Sequence, residues 1–146
     1  MTDVFDEATR RRVMSRIRCK DTGPEKRIAR LLDSLGLGYI YQFRIGRYRY
    51  DFYVPELNLL IEYRSCFWHY CPYCYGDRIP VKGGINGRRW WEEKLRGNRE
   101  RDKRKEELAR RMGYRLIIVW EHEGDPAEVL AGKLKDFIPN GTDIHH

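Results

Sequence analysis

The chain has 146 residues, 41% of them hydrophobic, and a formal charge of +7. This length fits one domain with a single core, residues 1–146, and the apolar share excludes general disorder. No apolar run approaches the roughly 20 residues of a membrane span, and "MTDVFDEATRRR" lacks a signal peptide's apolar core, so a soluble, cytoplasmic protein without a membrane partner is expected.

The first predicted element is a helix over 7–18, with Val13, Met14 and Ile17 on one face. Arg10, Arg11, Arg12, Arg16, Arg18 and Lys20 crowd the same segment. The whole chain has 29 Lys and Arg against 22 Asp and Glu. Such an excess favours an anionic partner, most often nucleic acid. The plainer reading of each basic run is a solvated helix face. "DTGPEKRIARLLDSLG" reads as a second helix. Thr22 and Glu25 stand in capping-box spacing, Pro24 suits the first turn and Gly36 can end it. Ile28, Leu31, Leu32 and Leu35 form its core face.

Three strands are expected next, at 39–45, 48–54 and 57–63, joined tightly through "IGR" and "PE". A cysteine-rich stretch and a loop around "VKGGINGRR" lead into a long helix over 90–112, which Gly113 closes. "YRLIIVW" (114–120) is nearly all apolar and is expected to be a central strand. A last helix over 125–138 has Asp125 as cap and Pro126 in its first turn. The order ααβββαβα gives an α/β fold, a mixed sheet with helices on its faces. Residues 1–20 form its N-terminal region, and 123–146 its C-terminal helix and tail.

Two features carry chemistry. Asp51 lies in the second strand, and Glu62 near the end of the third, followed by Tyr63 and Arg64. Neighbouring strands can bring the two carboxylates together. With a backbone carbonyl they would make a hard oxygen site suited to Mg²⁺. Asp51 followed by Glu62-Tyr63-Arg64 resembles the PD-(D/E)xK nuclease signature, with Tyr50 in place of its proline and Arg64 in place of its lysine. Ordinary strand residues in salt bridges are the alternative.

The second feature is "CFWHYCPYC", residues 66–74. Thiolates at Cys66, Cys71 and Cys74 can hold three corners of a tetrahedral Zn²⁺ site. His122 is the candidate fourth ligand, because the strand before it can run beside the third. Free thiols, or a redox pair at Cys71 and Cys74, are the alternatives. A tied loop cannot turn Phe67, Trp68, His69 and Tyr70 all inward. Projecting rings can wedge into a base step, and His69 can serve as a general base. Otherwise the rings form a small core, and His69 is a zinc ligand or a surface residue.

With "ATRRRVMSRI…DTGPEKRIARLL", "CFWH", "WWEEKLRGNRERD" and "RLIIVWE" in this order, the chain closely resembles the Vsr family, the very short patch repair endonucleases. The resemblance covers about residues 3–122. It implies a restriction-endonuclease-like fold, a structural Zn²⁺ and a catalytic Mg²⁺. The implied reaction is a nick 5′ to the thymine of a T·G mismatch left by deamination of 5-methylcytosine. Carried over by position, Asp51 and the Tyr63 carbonyl bind Mg²⁺ and His69 is the general base. Glu25 and Asp102 support His69 or metal-bound water. Phe67, Trp68 and Trp91 open the mismatch, and the N-terminal helix, with Arg12, Met14 and Arg16, lies against DNA. Zinc falls on Cys66, Cys71, Cys74 and His122.

Glu62-Tyr63-Arg64-Ser65 departs from the family pattern, in which a glycine commonly precedes "CFWH" and His or Asp stands two positions before the cysteine. Glu62 would add a metal ligand, and Arg64 would replace a histidine or act on the phosphate. The implied partner is duplex DNA with a T·G mismatch, beside mismatch-repair proteins, in a bacterial or archaeal cytoplasm. A monomer suffices for one nick. A nuclease that cuts a specific sequence, as homing or restriction enzymes do, and a structure-specific DNA-binding protein with an altered site are the other readings.

Overall fold

The computed structural model describes residues 23–81 and 87–138. The expected helix over 7–18, with Arg12, Met14 and Arg16, and the Thr22 cap lie outside them, as does 82–86 in the glycine-rich loop. The elements are α1 (Gly23–Ser34), β1 (Ile40–Ile45), β2 (Tyr48–Val54), β3 (Leu59–Arg64), a single turn α2 (Pro72–Tyr75), α3 (Gly87–Arg111), β4 (Arg115–Trp120) and α4 (Pro126–Leu134). The last helix thus stops four residues short of its expected end.

Helix α1 buries Ile28, Ala29 and Leu32, as its apolar spacing requires. Gly36 ends it at φ 74°, where Leu37 N donates to Leu32 O at 2.9 Å. Helix α4 begins on Asp125, whose carboxylate accepts from Glu128 N at 3.1 Å. Both helices pack on one sheet face, where Ile28, Leu32, Leu130 and Leu134 meet Phe52, Val54, Leu59, Ile61, Ile117 and Val119. The other face takes α3 through Ala109 against Tyr50 and Leu60.

The sheet order is β1-β2-β3-β4, antiparallel except for the parallel pair β3 and β4. Segment 114–120, expected to be central, therefore lies at the end of the described sheet. Strand β3 takes the inner place, and its Leu59, Leu60 and Ile61 are wholly buried. The apolar run of β4 has a different origin: Ile117 and Val119 face α1 and α4, while Leu116 packs on the α3 side. The "PE" connection is a 3-10 turn, Pro55–Leu57, closed by Asn58 at φ 51°. Asn58 tolerates that left-handed backbone, and its Nδ2 donates to Gly113 O at 2.9 Å.

One irregularity positions the chemistry. The β1–β2 ladder skips the pair Gln42 and Asp51, and Gln42 has φ 58°. The β2–β3 ladder begins only at Phe52↔Ile61. Strict alternation would put Tyr50 and Phe52 on one face, yet Tyr50 packs towards α3 and Phe52 towards α1. Asp51 is therefore the point where β2 leaves both neighbours and its side chain is re-aimed.

Candidate active site and metal centre

Released from the ladder, the Asp51 carboxylate accepts a hydrogen bond from Tyr63 N at 2.8 Å. Asp51 and the Tyr63 backbone are thus adjacent, joined through the Tyr63 amide. Burial, and then the carboxylates of Glu62 and Glu25, push Asp51 well above the usual carboxylate range. Among the described residues Asp51 has no ion-pair partner. A carboxylate in this setting fits a bound cation, which would offset both the burial and the repulsion.

Glu62 is only 4% exposed and sits differently. Its Oε1 accepts from Arg64 Nη2 at 2.9 Å, and its Oε2 pairs with Lys105 Nζ. Arg64, 2% exposed, also donates to Glu106 Oε2 at 2.7 Å and lies 3.9 Å from Asp102 Oδ2. Its guanidinium faces the Trp120 ring, 5.7 Å from the centroid. The Arg64 charge is thus directed at carboxylates inside the protein.

Asp102 reaches across to His69, with Oδ2 2.7 Å from Nδ1. Burial pushes this carboxyl up, but the His69 hydrogen bond and the charge of Arg64 outweigh it and hold Asp102 below its ordinary range. An ionised Asp102 makes Nδ1 the protonated nitrogen of a neutral His69 and leaves Nε2 as the basic one. The two carboxyl groups are thus driven in opposite directions, Asp51 upwards and Asp102 downwards, a divergence found at functional sites. Glu25, in the first turn of α1, accepts from the Tyr41 hydroxyl. This contact, and not one with His69, is what the described residues show for it.

The loop that carries His69 folds back on itself. Cys71 N donates to Cys66 O at 2.9 Å, and Tyr70 takes φ 49°. A left-handed tyrosine costs about 1–2 kcal/mol. Arg99 offsets this by donating to Tyr70 O at 2.8 Å and stacking on its ring at 3.6 Å. Tyr70 turns inward with Ile79 and Leu95. Phe67 and Trp91 pack against this cluster and, with Trp68, form a trio with centroids 5.0–5.9 Å apart. Trp68 is 50% exposed at its outer end, and Asn98 Nδ2 donates to its carbonyl at 2.8 Å.

Cys66, Cys71, Cys74 and His122 converge, with ligand atoms all within 4.8 Å of one another. His122 Nδ1 lies 3.3 Å from Cys66 Sγ and 3.6 Å from Cys71 Sγ. Tetrahedral bonds of Zn²⁺ to sulfur and nitrogen imply sulfur–nitrogen separations of about 3.5 Å. The four groups therefore fit such an ion. Burial pushes the Cys66 thiol up to about 12, so a thiolate there needs a directly bound cation. His122 arrives because β4 runs parallel to β3, pairing Arg64 with Trp120 two residues before each ligand.

Lys105, Glu106 and Tyr41 escaped the sequence reading. Lys105 had a legible signal: Leu95, Asn98, Asp102, Lys105 and Ala109 follow one helical face, and all are buried. Tyr41 had none, since its role depends on the skipped pair beside it.

The family model for the DNA mismatch endonuclease Vsr matches residues 2–74. The chain is 36% identical over 143 residues to the DNA mismatch endonuclease Vsr of Escherichia coli (strain K12), covering 94% of this chain and 88% of that one. It is 33% identical over 144 residues to the type II nicking enzyme V.XorIIP of Xanthomonas oryzae pv. oryzae, covering 94% and 98%. A third relative, the type II nicking enzyme V.NmeAIP of Neisseria meningitidis, is 32% identical over 84% of each chain.

Proposed function

The chain belongs to the Vsr family of DNA endonucleases, and on that premise we propose that it nicks one strand of duplex DNA 5′ to the thymine of a T·G mismatch, in DNA repair, with Mg²⁺ at Asp51 and Zn²⁺ in the Cys66, Cys71, Cys74 and His122 cluster. The observation that carries the reading is the Asp51 carboxylate, freed from its strand ladder and without an ion pair among the described residues, together with a histidine fixed by an ionised aspartate.

Asp51 and the Tyr63 carbonyl would hold the Mg²⁺. When bound, that ion supplies Lewis-acid stabilisation of charge on the scissile phosphate. His69 Nε2 takes a proton from the attacking water, and Asp102 keeps the imidazole in the required tautomer and stabilises its charged form. Tyr41 and Glu25 hold the polar edge beside Asp51. Trp68, backed by Phe67 and Trp91, is the ring offered to the base step, and Asn98 steadies its backbone. Arg12, Met14 and Arg16 complete the DNA grip from the N-terminal region. One site makes one nick, consistent with the names of the nicking-enzyme relatives.

The test is cleavage of duplexes labelled on each strand, with and without a T·G mismatch, in Mg²⁺. The expected result is a single nick beside the mismatched thymine and little cutting of the matched duplex. Double-strand cutting of matched DNA would establish a sequence-specific nuclease instead. Binding without cleavage in Mg²⁺ or Mn²⁺ would reduce the chain to a structure-specific binder.

A further inference from the structure

Glu62 has the position and chemistry of a second metal ligand, yet both its oxygens are committed inside the protein. Oε1 takes Arg64, and Oε2 takes Lys105 from the middle of α3. Glu62, Arg64 and Lys105 are all at least nine-tenths buried. The Lys105 ammonium also faces the Tyr50 ring, 5.0 Å from its centroid, and Tyr50 OH donates to the Lys105 carbonyl at 2.7 Å. The lysine is thus fixed at both ends. A buried carboxylate with two cationic partners gains little by exchanging them for a hydrated Mg²⁺, which gives up its water reluctantly. Asp51, just past the end of the β2–β3 ladder, accepts from a backbone amide and has no ion pair among the described residues.

We infer that Lys105 is a positioning residue that occupies Glu62 with an internal cation, holds it away from the divalent ion and restricts metal binding to Asp51. The proposal rests on the metal reading of Asp51 given above. On this account the acidic cluster is divided between two kinds of cation. Arg64 and Lys105 serve Glu62, Asp102 and Glu106 permanently, while Asp51 is left for an exchangeable ion. Removal of the Lys105 charge would return Glu62 to the metal site.

The experiment is calorimetric titration of Mn²⁺, without DNA, into the full chain loaded with its cysteine-bound metal. Lys105→Met is expected to bind Mn²⁺ at least tenfold tighter than the parent, and Glu62→Gln added to it is expected to erase the gain. A merely structural lysine would give weaker or unchanged binding, and either result in a folded variant overturns the inference. Circular dichroism melting establishes folding. Should Lys105→Met not fold, Lys105→Gln retains a polar contact to Glu62 without the charge, and the same tenfold criterion decides. Parent binding that Asp51→Ala abolishes, with no gain in either lysine variant, defeats this inference alone. Absence of Mn²⁺ binding in parent and variants alike defeats the metal reading of Asp51 and this inference with it.

Discussion

His69 Nδ1 and Asp102 Oδ2 stand 2.7 Å apart, although 33 positions separate the two residues. The pair spans the gap between the thiol-rich loop and α3, and its charge state follows from its neighbours. Asp102 is held below its ordinary range, so it stabilises the fold above the usual aspartate value near ~4 and loses that contribution as pH falls through its lowered value. Asp102→Asn should therefore cost most stability at neutral pH and progressively less in acid. Urea unfolding of both proteins from pH 7 down to pH 3 measures the difference; a constant gap would mean that the charge of Asp102 is not what matters. His69→Ala should slow cleavage by roughly 10²–10⁴-fold, the usual worth of a general base.

Asp51 gives the opposite sign. Its carboxyl is pushed up by burial and by Glu62 and Glu25, so ionising it at neutral pH costs stability in the metal-free protein. Asp51→Asn should raise the melting temperature of that protein at pH 7, and the advantage should vanish below the ordinary aspartate value. The same substitution should abolish cleavage and leave DNA affinity near the parent's. A lower melting temperature would show that the carboxylate is stabilised by something other than a metal.

The thiol cluster should carry one tightly bound Zn²⁺ per chain. Cys71→Ser should lower the metal content well below one and depress stability more than the cleavage rate of the surviving folded fraction, since metal binding in so small a site is partly folding energy. Elemental analysis of the folded, active protein decides the first point, and a metal-free active protein would refute it.

Trp68 is half-exposed at the tip of the aromatic trio. Trp68→Ala should reduce the preference for mismatched over matched duplex and leave the dependence of affinity on salt nearly unchanged, because phosphate contacts set that slope. Binding measured at several salt concentrations separates the two effects. An unaltered preference would make Trp68 a packing residue.

The sequence disclosed the helices and strands well because each carried its own period. Ile28 and Leu32 on α1 and the Asp125 cap on α4 are local signals. The convergence of Cys66, Cys71, Cys74 and His122 was legible because cysteines have few roles in such spacing. The place of β4 was not, because a run apolar on both faces fits an inner strand and an end strand covered on both sides alike. The engagement of Glu62 by Lys105 was hidden for another reason. The helical face of α3 places Lys105 inside, but only the packing of α3 against the sheet sets it beside Glu62.

Cys66 and His122 follow neighbouring parallel strands but stand 56 positions apart. Before β4 docks on β3, an ion at this cluster would meet the three thiols of one short tether without His122. The fourth ligand becomes local only after the long crossover through α3 has closed, at an entropic cost that grows with the length of the loop. If the cluster binds zinc as proposed, ion affinity there would gauge whether the two halves of the chain have come together. A chelator is then expected to loosen the open end of that crossover together with the loop on which His69 is mounted.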